Sequence, residues 1–377
     1  MHILISPNAF KHSLTAEEAA SAIRKGLMQS KLDCTCECFP IGDGGDGTAK
    51  LIIKKCGGYH ISAEVHDALG RKINASFGLI DKGKTAVIEM ADASGIRLLQ
   101  PEELNPLHAT SYGTGEQIKS ALDKGTEKII IGMGGSATVD GGAGMLKALG
   151  VRFLGSNGVE LVNLPASLTE LVSVDLMGLD KRIRETEVIV LCDVDNMLLG
   201  KQGAAAIFGP QKGASVEDVH KLDAALSKLA EVTLQQTGKN ISEIKYGGTA
   251  GGAAAGLYAF LDAKLVNGID YFLQLTGFDK ALENSDLVIT GEGSIDEQTL
   301  QGKGPFGVAY CAKLKGLPVI GLAGKVPLER NVNLQKYFDV LLPIGHQPFD
   351  LQTALVSTAD NLIRTAGELG DLLAILK

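Results

Sequence analysis

Residues 129–150 read IIIGMGGSATVDGGAGMLKALG, and this stretch constrains the architecture more than any other in the chain. Ile129, Ile130 and Ile131 are apolar, β-branched and without alternation, which is the composition of a strand buried on both faces of a parallel sheet. Gly132, Gly134 and Gly135 follow at once and permit backbone angles closed to other residues. Successive N–H groups there could converge on an anion, with the hydroxyls of Ser136 and Thr138 beside them. From Gly141 a helix with a small-residue first turn is expected, and its dipole would add to an anion site. A tight strand-to-helix turn without any ligand fits these residues equally well.

A chain of 377 residues exceeds what one core holds, since single cores stop growing near ~250 to 300 residues, so two domains are expected. The 45% hydrophobic and 21% charged content is that of a globular protein. Lys and Arg total 36 against 44 Asp and Glu, giving a formal charge of -8, and no long basic tract occurs. Nucleic-acid binding is therefore disfavoured. No apolar run reaches the ~18 residues of a membrane span, and the first strand pattern has no basic flank, so no membrane partner and a cytoplasmic location are expected. Cys34, Cys36 and Cys38 share one face of a strand, but no Cys/His pair follows in a zinc spacing. Cys56, Cys192 and Cys311 read as reduced, buried thiols.

Taken in order, His2 to Ser6 is a strand, its loop carries Lys11, and Thr15 to Glu18 is a capping box opening a helix. Lys11 sits where open α/β sheets bind ligands, at a strand's C-terminal end, although a solvated loop lysine reads comparably. After a strand from Cys34 to Ile41, Gly42-Asp43-Gly44-Gly45-Asp46-Gly47 formally matches GxGxxG, and a helix from Thr48 followed by a strand near His60 completes a Rossmann-like pattern. Glu64 or Asp67 would then face a ribose, as in an NAD-dependent hydroxy-acid dehydrogenase. Asp43 and Asp46 argue against it, because carboxylates beside a pyrophosphate repel unless a divalent cation lies between. Arg71, in the turn 67–71, is a candidate clamp for a substrate carboxylate. Val188 to Cys192 is a strand ending in Asp193-Val194-Asp195, an acid–base or metal constellation.

Further on, Phe208 to Ala214 is a glycine–proline turn in which Lys212 could meet a phosphate. The run Gly247 to Gly256 is so small-residued that it either packs tightly or leaves room for a ligand. Asp286 to Thr290 is a strand, followed by Gly291-Glu292-Gly293-Ser294-Ile295-Asp296, read as another glycine and acid turn. Gln301 to Gly307 repeats GxGxxG without a preceding strand, so the dinucleotide reading fails there. Pro318 to Leu322 and Asp339 to Pro343 are further strands. No Walker A sequence and no protein-kinase signature occurs.

Together ISPNAFKHSLTAEEAA, GDGGDGT, GMGGSATVDGGAGML, CDVDN with GPQKGA, and TGEGSIDEQTLQGKGP resemble the bacterial glycerate kinase family, type I, over nearly the whole chain. The family often has Asp and Ser where this chain has Asn8 and Ala9, Glu for Asp46 and Pro for Met197. No metal role is therefore carried over to Asn8. The resemblance implies two α/β domains: a flavodoxin-like (Rossmann-like) one with a parallel five-stranded sheet made by both chain ends, 1–62 and 285–377, and an inserted α/β domain, 63–284. The strands at His2, Cys34, Asp286, Pro318 and Asp339 supply the five.

The activity implied is ATP-dependent phosphorylation of D-glycerate with Mg²⁺, giving 2-phosphoglycerate or, alternatively, 3-phosphoglycerate. The residues themselves suit phosphoryl transfer, which asks for phosphate cradles, a divalent cation and positioned charge. Lys11 and Asp193 are the expected catalytic residues, and Arg71, Ser136 and Thr138 the substrate contacts. Gly44, Gly45, Gly134, Gly135, Lys212, Gly291 and Lys303 are expected at nucleotide phosphates, and Asp43, Asp46, Glu292 and Asp296 at the metal. A cleft between the domains is expected to hold these loops, and a homodimer is left open.

Overall fold

In the computed structural model, which describes residues 1–348 and 350–376, the short apolar runs at both chain ends pair side by side. The sheet they make has five strands, in the order Val340–Pro343, Val319–Lys325, Leu287–Ser294, His2–Ile5 and Thr35–Cys38, every pair parallel. Numbered along the chain this is the 2-1-3-4-5 order of the flavodoxin-like sheet. All five expected strands are present. Ile3, Ile5, Leu287, Ile289 and Leu322 pack one face against Ile23 and Leu27 of the helix Ala16–Gln29 and Leu362 of Thr358–Ile375. Full burial of each such side chain is worth about 1.5–3 kcal/mol. The capping box at Thr15 and Glu18 starts the first helix as expected.

A second sheet has six strands, ordered Lys264–Asn267, Glu187–Cys192, Lys128–Gly132, Thr85–Glu89, Lys72–Ile80 and Tyr59–His66. The first four run parallel, and the last two join antiparallel. Ile129 and Ile131 lie at its centre, completely buried with Ile88 and Val190 on the neighbouring strands. The uninterrupted apolar run thus does mark a strand covered on both faces.

By their contacts the residues fall into two compact units, Met1–Asp43 with the chain from Ile269 onward, and Gly44–Gly268. Both limits precede those read from the sequence. The helix Thr48–Lys55 packs on the strands Lys72–Ile80 and Thr85–Glu89, which places it with the second unit. The same fact removes the Rossmann pattern around GDGGDGT. Its preceding strand, Thr35–Cys38, belongs to the first sheet, whereas Tyr59–His66 beyond the helix is an antiparallel edge of the second. Asp67, proposed for a ribose, is buried and accepts from Leu69 N, Arg71 N and Arg71 Nε, and Glu64 pairs with Lys72.

Candidate active site

In the first unit the candidate residues gather at the C-terminal ends of three adjacent strands. The ladder between His2–Ile5 and Leu287–Ser294 continues into the loop, where Asn8 N donates to Gly291 O at 2.8 Å. Buried Asn8 then directs its Nδ2 to Asp43 Oδ2, also at 2.8 Å. Glu292 is half-buried and accepts from Thr299 Oγ1 at 3.2 Å. Burial, and then the charge of Asp43, push its carboxyl up to about 7, against Lys303, the Thr299 bond and Lys11. Lys303 is the N-cap of the helix Gly304–Leu314. This end of the sheet therefore carries two carboxylates whose charges oppose each other, with the charges of two lysines acting on Glu292.

That donor set fits a hard divalent cation. Mg²⁺ is ordinarily held by one or two carboxylates, completing its octahedron with water and substrate phosphates rather than a protein cage. Among the described residues no three His, Cys, Asp or Glu side chains converge as a ready-made cage. Asp43 and Glu292 would be the ligands. Asp296 is engaged otherwise, capping the turn Glu297–Gln301 through Gln298 N at 2.9 Å and receiving Ser294 Oγ at 3.3 Å. Gly291 is not in a turn: the strand runs on to Ser294, and Gly291 pairs with Leu322 inside the sheet. A Cβ there would lie 2.1 Å from Leu322 O, so this glycine serves strand packing and presents no phosphate loop.

In the second unit the ends of Thr85–Glu89, Lys128–Gly132 and Glu187–Cys192 are neighbours, with Glu89 in register with Gly132 and Gly132 with Leu191. Just beyond them lie Ser136, Thr138, Asp140 and Asp193. Lys212 reaches this end from the turn Pro210–Lys212, only 2% exposed, donating from Nζ to Ser136 Oγ at 2.8 Å and to Thr138 O at 2.7 Å. Burial pulls its ammonium down to about 7, against the charges of Asp140 and Asp193, which favour the protonated form. Among the described residues Thr138 Oγ1 has no hydrogen-bond partner, although it is buried. Asp140, which the sequence reading passed over, is fully buried and holds the loop together. It accepts from Ser111 N and Oγ at 2.8 and 2.7 Å and from Gly142 N and Gly144 N at the following helix. Its position directly before a glycine-started helix was the available signal.

The glycine loops are used differently from the expected cradle. Gly134 N donates to Gly44 O at 3.0 Å, and a Cβ on Gly134 would sit 2.3 Å from Gly45 Cα and 2.6 Å from Asp46 N. Gly44, Gly45, Gly134 and Gly135 are thus brought together, and the close approach is of backbone to backbone. Gly251 and Gly256 do the same against Thr138 O and Gly141 O, each at 2.1 Å from a built Cβ, which resolves the 247–256 run in favour of tight packing. Gly134→Ala is accordingly expected to lower the urea unfolding free energy by about 1–3 kcal/mol through overpacking. Gly293→Ala, where a Cβ meets nothing within 4 Å, should stay within about 0.5 kcal/mol. Equal midpoints for the two variants would contradict the packing role.

Asp46, expected at a metal, is held by Arg97 Nη1 at 2.6 Å, while Arg97 Nη2 bonds Asp92. Beside it Glu89, 4% exposed, accepts from Gly47 N and from Ala49 N, at 3.1 Å for the latter, and so fastens the start of the helix Thr48–Lys55. Burial first, then hydrogen bonding with Asp46, pushes Glu89 up to about 8. Neither Arg97 nor Glu89 was singled out from the sequence. Arg71 is likewise engaged, with Nε on Asp67 at 2.5 Å and Nη1 on Glu103 at 2.7 Å. Its guanidinium ties the turn together, where a clamp for a substrate carboxylate was expected.

Two α/β units, one with two lysines and the other with one beside carboxylates at the C-terminal ends of parallel strands, define a protein built to handle small anionic ligands. The model of the glycerate kinase family matches residues 3–374. The chain is 42% identical over 377 residues to a glycerate kinase of Bacillus subtilis, covering 100% of this chain and 99% of that one. It is 43% identical over 379 residues to the glycerate 2-kinase of Escherichia coli, with coverages of 100% and 98%. A crystal structure of a "putative glycerate kinase 2" from Salmonella typhimurium LT2 superposes with a TM-score of 0.82 at 41% identity, covering 100% of this chain and 98% of that one. The chain belongs to the glycerate kinase family and is a kinase. No helix among the described residues is long and apolar enough to cross a membrane.

Proposed function

We propose that this glycerate kinase transfers the terminal phosphoryl group of ATP to D-glycerate with Mg²⁺, forming 2-phosphoglycerate, and that it works in the cytoplasm on small molecules alone. The observation that carries the reading is full-length similarity to the glycerate 2-kinase of Escherichia coli, at 43% identity. The residues support it. In the first unit Asp43 and Glu292 would hold Mg²⁺, which when bound neutralises phosphate oxygens and bridges them. Lys11 and Lys303 add positive charge for the transferring group. In the second unit Asp193, at the end of the strand Glu187–Cys192, would orient the glycerate hydroxyl and accept its proton, with Ser136 as a hydrogen-bonding contact. Phosphoryl transfer needs little covalent work from the protein, so positioning and charge are what these side chains supply.

The test is direct. Incubation with D-glycerate, ATP and Mg²⁺ should give a product whose proton-coupled phosphorus resonance is a doublet, because the 2-phosphate couples to one carbon-bound proton. A triplet would assign the 3-phosphate instead. Activity should vanish in excess EDTA and return with Mg²⁺ or Mn²⁺, since paired carboxylates beside phosphates need a bridging cation. Full turnover in EDTA would sink the cation role, and an NAD-linked absorbance change with a hydroxy acid would replace the kinase reading by the dehydrogenase.

A further inference from the structure

Among the described residues Lys212 meets fewer hydrogen-bond acceptors than an ammonium has donors. A neutral amine has two N–H donors and one lone pair, whereas an ammonium has three donors. Lys212 Nζ meets two acceptors, Ser136 Oγ and Thr138 O, and both are uncharged. The surroundings match the amine donor for donor. Protonation adds a third donor, and an incoming oxyanion is the partner such a donor lacks. The hydroxyl of Thr138, buried and unpartnered among the described residues, belongs to the same short loop. The charged groups acting on Lys212 are Asp140 and Asp193, and Asp140 is already committed to Ser111, Gly142 and Gly144.

Resting on the glycerate kinase reading, we propose that Lys212, with Ser136 and Thr138, is the receptor for a small oxyanion, and that Lys212 takes a proton from solvent when this anion binds. The lysine's nitrogen gains the proton, no other bond changes, and the new N–H faces the anion. The oxyanion is either the carboxylate of the acceptor or a phosphoryl group. A receptor that charges itself only when occupied avoids holding a buried ammonium without its counter-ion in the empty state, a situation that burial strongly disfavours.

Calorimetric titration of the intact protein with D-glycerate and with sulfate, in buffers of different ionisation enthalpy, reads the protons taken up per anion bound. Neither ligand titrates between pH 6 and 8. With burial holding the free lysine near 7, uptake should be well above zero at pH 8 and should fall as the pH is lowered to 6. Lys212→Arg, permanently charged, should show uptake near zero at both values, with its folding checked by circular dichroism. Uptake with D-glycerate places the carboxylate here, and uptake with sulfate alone places the phosphoryl group. Anion binding by the wild type without uptake at pH 8, uptake that persists in Lys212→Arg, or no binding of either anion would overturn the inference. The phosphorus resonance assay keeps the two readings apart: turnover without proton uptake defeats this inference alone, and absence of turnover defeats the proposed function.

Discussion

Lys11→Ala is expected to lose about 30-fold to 1000-fold in kcat/KM, the equivalent of about 2–4 kcal/mol of transition-state stabilisation, while unfolding at the wild-type temperature. The two halves of this expectation come from different features. The loop is shaped by its backbone: Phe10 N donates to Leu14 O and Leu14 N to Phe10 O, each at 2.9 Å, with the ring of Phe10 buried beneath. The Lys11 side chain is exposed and takes no part in that pairing. Removing it should therefore cost little stability. Its charge, however, acts on Glu292 together with that of Lys303, at the sheet end where the phosphates are proposed to bind. A charge that meets a phosphoryl group mainly in the transition state is lost from kcat, and raising the glycerate concentration would not restore it. Steady-state kinetics with a thermal unfolding curve decide the matter. An unaltered kcat/KM would make Lys11 a solvated loop lysine, and a large drop in unfolding temperature would give it a structural role.

What could be read from the sequence, and what could not, divides along the range of the interactions. Apolar β-branched runs such as Ile129 to Ile131 announce buried parallel strands because both faces must be apolar, and the strand ends then locate the loops. Sheet membership is a different kind of fact. The helix after GDGGDGT and the strand beyond it look like half a nucleotide-binding unit, yet that strand pairs antiparallel with Lys72–Ile80. Local pattern cannot tell a crossover from a change of sheet. Glycine is ambiguous for a similar reason: it signals that something comes close, without saying whether a phosphate or, as at Gly134, the chain's own Gly45. Glu292 was singled out in the sequence, but its setting was misread, since Gly291 and Gly293 disguise a strand that continues to Ser294. Arg97 and Glu89 were missed because their partners lie far away in sequence, Asp46 for the one and Gly47 for the other.

Asp193→Asn should lower kcat by roughly 100-fold, and Asp195→Asn should leave it within about threefold. Asp193 follows directly on Cys192, the last residue of its strand, and is half-buried, whereas Asp195 is exposed two residues further on. The segment is fixed by neighbours: Thr249 Oγ1 donates to Val194 O at 3.3 Å and Gly248 N to Asn196 O at 2.8 Å. Neither of these two bonds involves a carboxylate, and a circular dichroism spectrum of each variant checks its fold alongside the kinetics. A loss of about 100-fold rather than complete inactivity is expected because a loose transfer moves the hydroxyl's proton late, leaving the base only part of the barrier. Asp193 has a second effect, since its charge favours the protonated form of Lys212. Without it the lysine titrates at lower pH, and the alkaline loss of activity should begin earlier in Asp193→Asn than in the wild type. A cation ligand would behave differently: added Mg²⁺ would rescue the variant, while the alkaline shift that follows from the lost charge would remain. Measuring kcat against Mg²⁺ separates the two, and full activity in both variants would make the acidic pair an ordinary surface turn.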